Sequence, residues 1–171
     1  MEASTDPRTG RTREAILAAF RQLALERRYD GIRVTDLIAG AGIGRATFYE
    51  HFRGKDDVLL AAMERLLQPM ARAATGRPVE AHLRVTLEHV WQQRAVGRIV
   101  LDSSAGKKLQ RRLADMIAAG LDDGPVPASM RGAAIAAALL AMLRMWLGGG
   151  ASCPAAVLAR QMMACARIAQ A

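Results

Sequence analysis

The sequence predicts an all-α chain of eight or nine helices, and three observations carry that reading. Every extended apolar pattern recurs at the helical spacing i, i+4, i+7, and no run alternates with the strand period of two. Glycine, proline and aspartate punctuate the patterns, at Tyr29-Asp30-Gly31, Arg53-Gly54, Thr75-Gly76-Arg77-Pro78 and Asp122-Asp123-Gly124-Pro125. The chain of 171 residues, 51% of them hydrophobic, is also long enough to bury a core without covalent staples.

Taken in order, Ile16, Phe20 and Leu23 place a first amphipathic helix over Arg11 to about Arg28, behind a flexible arm carrying Arg8, Arg11 and Arg13. Two short apolar segments follow, Val34 to Ala41 and Gly44 to Phe52, separated by Gly42-Ile43. Lys55-Asp56-Asp57 opens a longer helix with carboxylates at its positive end, and Leu59, Met63, Leu66 and Met70 share one face of it. Pro69 is expected to kink or end it. Leu83, Leu87, Val90, Trp91 and Arg94 mark one further helix, and Leu109, Leu113, Met116 and Ile117 another. The last two run from Ser129 to Leu147 and from Pro154 to Ala169, with Pro154 where a first helical residue is favoured.

Two helices of about eight residues joined by a glycine-bearing turn outline a helix-turn-helix. Gly42 suits the turn because a left-handed backbone costs glycine little. In the second helix Ile43, Phe48 and Phe52 can pack inward, which leaves Arg45, Ala46, Thr47, Tyr49 and His51 open to a ligand. That set fits duplex DNA: Arg45 can donate twice to a guanine edge, Ala46 can touch a thymine methyl, and Thr47 can reach a base or phosphate. Tyr49, His51 and Lys55 are donors suited to phosphates.

At these residues the sequence resembles a family. Residues 11 to 60, and most plainly AGIGRATFYEHFRGKDDVL from Ala41 to Leu59, resemble the DNA-binding domain of the tetracycline-repressor (TetR/AcrR) family of bacterial transcriptional regulators. The resemblance implies a helix-turn-helix domain with its arm over residues 1–54 and a helical effector-binding and dimerisation domain over 55–171. By position, Arg45, Ala46, Thr47 and Tyr49 match recognition-helix contacts, and His51 and Lys55 match phosphate contacts. The family often carries a capping Ser where this chain has Gly44, and glycine is itself an acceptable cap. It often carries a phosphate-contacting Thr where this chain has Arg33, with Thr35 two residues on, so Arg33 and Thr35 both stand as candidates. The implied partners are double-stranded operator DNA, a second copy of the chain and a small-molecule effector. The implied function is a repressor released from a palindromic operator by that effector, against the alternative of a constitutive or architectural DNA-binding protein.

For the second half, the face Ile135, Leu139, Met142, Leu143 and Trp146, together with Leu158, Met162 and Cys165, is expected to form an apolar dimer interface. Burial of the same stripe within one chain is the competing expectation. Met63, Leu66, Leu83, Leu87, Trp91 and Met116 are the candidate effector-pocket lining, and plain core filling would use the same residue types. Lys107, Lys108, Arg111 and Arg112 form a basic face, expected to be solvated or to meet an anion.

Two cysteines are too few for a disulfide framework or a four-ligand zinc site, and His82 and His89 add too few ligands for another metal, so neither cofactor nor metal is expected. No nucleophile elbow, phosphate loop or paired-carboxylate arrangement points to an enzyme. The polar opening MEASTDPRTG does not fit a secretory leader, and the apolar stretch from Gly132 to Cys153 contains Arg144 and a Gly148-Gly149-Gly150 break, so a cytoplasmic protein without a membrane span is expected. The net charge of +8 is an uninformative guide to the contact surface, because residues 1–54 contribute only nine basic against seven acidic side chains.

Overall fold

A computed structural model describes residues 7–77, 80–122, 124–150 and 152–168. Among them are nine α-helices, one 3-10 turn at Tyr29–Gly31 and no strand: α1 (Pro7–Glu26), α2 (Val34–Ala41), α3 (Arg45–His51), α4 (Lys55–Ala74), α5 (Glu80–Gln92), α6 (Arg94–Leu101), α7 (Ser104–Ala118), α8 (Ala128–Gly148) and α9 (Ala155–Ile168). The chain divides into two compact units, Met1–Ala62 and Met63–Ala171. The division lies inside α4, past the residue 54/55 boundary read from the sequence, because the first turn of α4 is bonded to the segment around Tyr29.

In the first unit Ile16, Phe20, Tyr29, Leu37 and Phe48 are fully buried. Each such side chain contributes roughly 1.5–3 kcal/mol of burial free energy. Helices α1 and α2 approach closely where Gly40 meets Ala19; a Cβ on Gly40 would lie 3.1 Å from that of Ala19. Helix α1 starts at Pro7 and not at Arg11, so Arg11 and Arg13 are helical rather than part of a flexible arm; the expected arm before Pro7 lies outside the described residues. Pro is compatible with a first helical position because its missing N–H has no intrahelical partner there.

The second unit departs from the periodicity reading in two places. The stripe through Arg94 is divided: α5 ends at Gln92 and α6 restarts at Arg94, with Gln93 between them off the helical conformation. Helix α4 passes through Pro69 to Ala74; the lost backbone bond is offset by the burial of Leu67, Met70, Ala73 and Ala74 on either side.

Helix α8 pairs most extensively with α7. Gly132 makes that approach possible, since a Cβ there would stand 2.6 Å from the Ala114 carbonyl oxygen. Three polar side chains on this apolar helix meet backbone acceptors: Arg131, near its start, donates to the Val126 carbonyl (3.1 Å) and to that of Asp122, Arg144 Nη2 to the Leu101 carbonyl at the end of α6 (3.3 Å), and Trp146 Nε1 to the Cys153 carbonyl (2.8 Å). A cation at a helix C-terminus is electrostatically favourable.

The expected dimer interface is corrected by this packing. Ile135, Leu139, Leu143, Trp146, Leu158 and Met162 are all 5% exposed or less within a single chain, because the stripe they form is the one that packs on neighbouring helices of its own unit. Met142 and Cys165 are the two members of that set left half-buried. Trp146 stacks on Trp91 of α5, ring centroids 4.6 Å apart, which joins a residue expected in the interface to one expected in the pocket.

Glycine substitutions separate close packing from open helix surface. Gly132→Ala should lower stability by about 1–3 kcal/mol through overpacking against the α7 backbone. Gly10→Ala, in α1 with nothing within 4 Å of the new Cβ, should raise it by about 0.5–1 kcal/mol through helix propensity. Urea unfolding of both variants beside the parent checks the opposite signs.

Candidate nucleic-acid interface

Arg33 is the N-cap of helix α2, and its N–H donates to the carboxylate of Asp36 (2.8 Å), the third residue of the helix, so the helix is capped from within. Asp36 also accepts from Arg27 Nη1 at 3.5 Å, while the Arg33 side chain and Thr35 stay exposed at the helix entrance. The turn out of α2 depends on Gly42, at φ +64°. Its N–H bonds the Ala39 carbonyl at 3.2 Å and the next N–H, of Ile43, returns to Ile38 at 3.3 Å, satisfying carbonyls that the end of α2 leaves open.

Helix α3 is only two turns long, and its orientation is fixed by what it buries. Phe48 is completely buried and Phe52, 3% exposed, lies beside it with ring centroids 6.1 Å apart. The guanidinium of Arg13, from α1, lies 4.6 Å over the Phe52 ring and closes the end of the helix. With Phe48 inward, Arg45, Ala46 and Tyr49 are exposed, and Thr47 and His51 are half-buried at the flanks. Tyr49 is 47% exposed, its ring edge-on to Phe48 at 5.3 Å, and the Arg45 guanidinium stands 5.6 Å over its face. The pair therefore presents a cation and a phenol side by side, a fork for a guanine edge next to a phosphate donor.

Glu50, which the sequence reading passed over, is exposed one turn from Ala46 on the same open side. The carboxylate there adds an acceptor and a negative charge to a face otherwise lined by the donors of Arg45 and Tyr49.

Lys55 does not stand with this outward group. Its ammonium is half-buried and donates to the carbonyls of Tyr29 (3.2 Å), Asp30 (3.4 Å) and Ile32 (2.9 Å), with the nitrogen 4.5 Å over the Tyr29 ring. Beside it the Tyr29 hydroxyl donates to the Asp56 carboxylate. No local pattern announces these bonds, because the partners are 23 to 27 residues apart in sequence. Burial, then the Asp56 bond and the charges of Asp56 and Asp30, hold the Tyr29 phenol far above its ordinary value.

In the second unit, Leu83 and Leu87 are fully buried on α5, Leu66 is 9% exposed on α4, and Met63, Trp91 and Met116 are half-buried. On α7, Lys107, Arg111 and Arg112 are exposed, and Arg112 lies 4.0 Å from Glu64. Among the described residues no three His, Cys, Asp or Glu side chains group as metal ligands.

A raised phenol pKa has a fixed sign in the stability profile. The protonated Tyr29 stabilises the fold fully below its ordinary titration near pH 10 and that contribution is lost as pH rises beyond it. Thermal unfolding between pH 8 and 11 should show a decline above about pH 10 that is shallower in Tyr29→Phe.

Comparison with known proteins places these helices. Residues 16–62 match the family described as "Bacterial regulatory proteins, tetR family". The HTH-type transcriptional regulator EthR of Mycobacterium tuberculosis (strain H37Rv) is 45% identical over 78 residues, which is 46% of this chain and 36% of that regulator. Matches to the curated relatives reach from 17% to 36% of their own lengths. Two solved structures share the fold along nearly the whole chain. A TetR transcriptional regulator from Streptococcus agalactiae has a TM-score of 0.58 at 22% identity, covering 93% of this chain and 95% of that one. FadR of Thermus thermophilus, a TetR-family repressor solved with lauroyl-CoA, has a TM-score of 0.56 at 18% identity with the same coverages. From within its first helix to the start of the fourth, the chain is thus similar to the tetR family of bacterial regulatory proteins.

Proposed function

We propose that the chain is a dimeric transcriptional repressor that leaves a palindromic operator when a small-molecule effector binds its second unit. The observation that carries the DNA-binding part is the outward set on α3: Arg45, Ala46 and Tyr49 open, on a helix oriented by buried Phe48. Thr47 and His51 at its flanks and Arg33 and Thr35 at the start of α2 are the further contacts, base or phosphate for Thr47 and phosphate for the rest. The operator is double-stranded DNA, and the setting is the cytoplasm, where duplex targets of such a regulator lie.

Dimerisation is supported by α8. By length and composition it is apolar enough to cross a membrane, yet only 44% of its most apolar window is buried inside the fold. Its open side carries Met130 (63% exposed), Ala134, Ala137, Ala138, Ala141 and Met145 (61% exposed), a continuous stripe at helical spacing. Alanine at the centre permits close approach, and a two-fold pairing of this stripe with its copy would cover it. Two recognition helices held about one DNA turn apart then enter successive major grooves.

The effector part is supported by analogy with FadR of Thermus thermophilus, a TetR-family repressor solved in complex with lauroyl-CoA. Met63, Leu66, Leu83, Leu87, Trp91 and Met116 are the proposed apolar lining. An effector that binds one α4 orientation better than another shifts the spacing of the recognition helices and weakens operator binding.

Selection of binding sites from a randomised duplex pool tests the reading. Arg45→Ala should relax the selected sequence at one position by about 1–3 kcal/mol, while His51→Ala should weaken binding evenly across sequences. Equal, sequence-independent loss in both would contradict the assignment. Ala141→Glu, which puts a charge on the open stripe of α8, should convert the dimer to a monomer in sedimentation at micromolar concentration without lowering the helix content.

A further inference from the structure

A lysine at the start of the helix that follows a recognition helix invites a phosphate-contact role, and the geometry of Lys55 points elsewhere. An ammonium has three N–H donors. The three carbonyls of Tyr29, Asp30 and Ile32, at 3.2, 3.4 and 2.9 Å, account for all of them. These carbonyls belong to the 3-10 turn Tyr29–Gly31 and the residue that closes it, which is the segment joining α1 to α2. One residue on from Lys55, the Asp56 carboxylate receives the hydroxyl of buried Tyr29. Two consecutive residues of α4 are thus tied to one short turn, one through backbone and one through side chain.

We propose that Lys55 is a positioning residue: with the Tyr29–Asp56 bond it forms a two-point lock that fastens the first turn of α4 to the α1–α2 connection and so holds the frame of the first unit in which α3 is presented. The lock explains why the first turns of α4 belong to the first compact unit. Its strength comes from charge-assisted bonds to carbonyls in a partly desolvated place and from the cation held over the Tyr29 face. Lysine suits the site because a compact ammonium can converge on three carbonyls, whereas the planar fork of arginine is matched to two parallel acceptors. The inference rests on the DNA-binding reading for its consequence and on geometry alone for the lock.

The test compares the full chain with Lys55→Gln, Lys55→Arg and Tyr29→Phe, by binding to a short mixed-sequence duplex over a salt series and by amide hydrogen exchange. The lock predicts that all three variants exchange the Gly31 and Ile32 amides at least several-fold faster and bind the duplex several-fold more weakly. The slope of log affinity against log salt stays that of the parent. Tyr29→Phe is the informative companion, because a residue 2% exposed cannot touch DNA. A phosphate contact predicts the opposite pattern: Lys55→Gln reduces the slope by about 0.9, Lys55→Arg binds like the parent, and the Gly31 and Ile32 amides do not change. That pattern would overturn the proposal. If the parent itself shows no salt-dependent binding, the regulator reading fails, and the exchange rates still decide the lock: accelerated in Lys55→Gln and Lys55→Arg they uphold it, unchanged they overturn it.

Discussion

The arrangement of the first unit depends on the burial of Phe48. Helix α3 has seven residues, too few to be held by its own backbone bonds, and no side chain caps its start at Gly44. Its stability and its rotation are therefore set by packing, and the one completely buried side chain it offers is Phe48. Once that ring is inside, the helical period leaves Arg45, Ala46 and Tyr49 outside. The neighbouring contacts defend this orientation: Phe52 beside Phe48, Arg13 over Phe52 and Tyr49 edge-on to Phe48. The left-handed turn at Gly42 sets the angle at which α3 leaves α2. A surface that reads DNA needs this rigidity, because base-edge hydrogen bonds tolerate little error in position.

The second unit solves a different problem. Its helices are rich in alanine and leucine and poor in aromatic rings, so density is reached by bringing backbones close rather than by filling space with large side chains. Gly132 against Ala114, and Gly106, where a Cβ would meet the Leu101 carbonyl oxygen and the Arg144 guanidinium, are the points of closest approach. Helix α8 is used on both sides: one side supplies Ile135, Leu139, Leu143 and Trp146 to the core, and the other leaves alanine and methionine open. A single apolar helix with two such faces is compatible with the proposed pairing of two chains as well as with burial within one.

Much of this was legible in the sequence where the responsible interaction is local. The helical class, the two short helices around Gly42, the inward Phe48 and Phe52 and the outward Arg45, Ala46 and Tyr49 all follow from spacing within a dozen residues. The unread parts are those decided at long range. Periodicity identified the inner stripe of α8 and α9 but carries no information on whose core receives it, so the buried face was assigned to an interface. The break at Gln93 lacks a glycine or proline signal, and the continuation through Pro69 depends on buried neighbours. Lys55 was read by its place beside the recognition helix, while the carbonyls that hold it lie in the turn after α1.

The central claim is that two copies of the α3 surface read two halves of a symmetric duplex site. Hydroxyl-radical footprinting of the chain on the DNA flanking its own coding region tests it most directly, at two salt concentrations. The account predicts two protected patches related by a two-fold axis, their centres about one helical turn apart or a multiple of it, with protection weakening as salt rises. Uniform protection without symmetry, or no salt-dependent binding to duplex DNA at all, would contradict it.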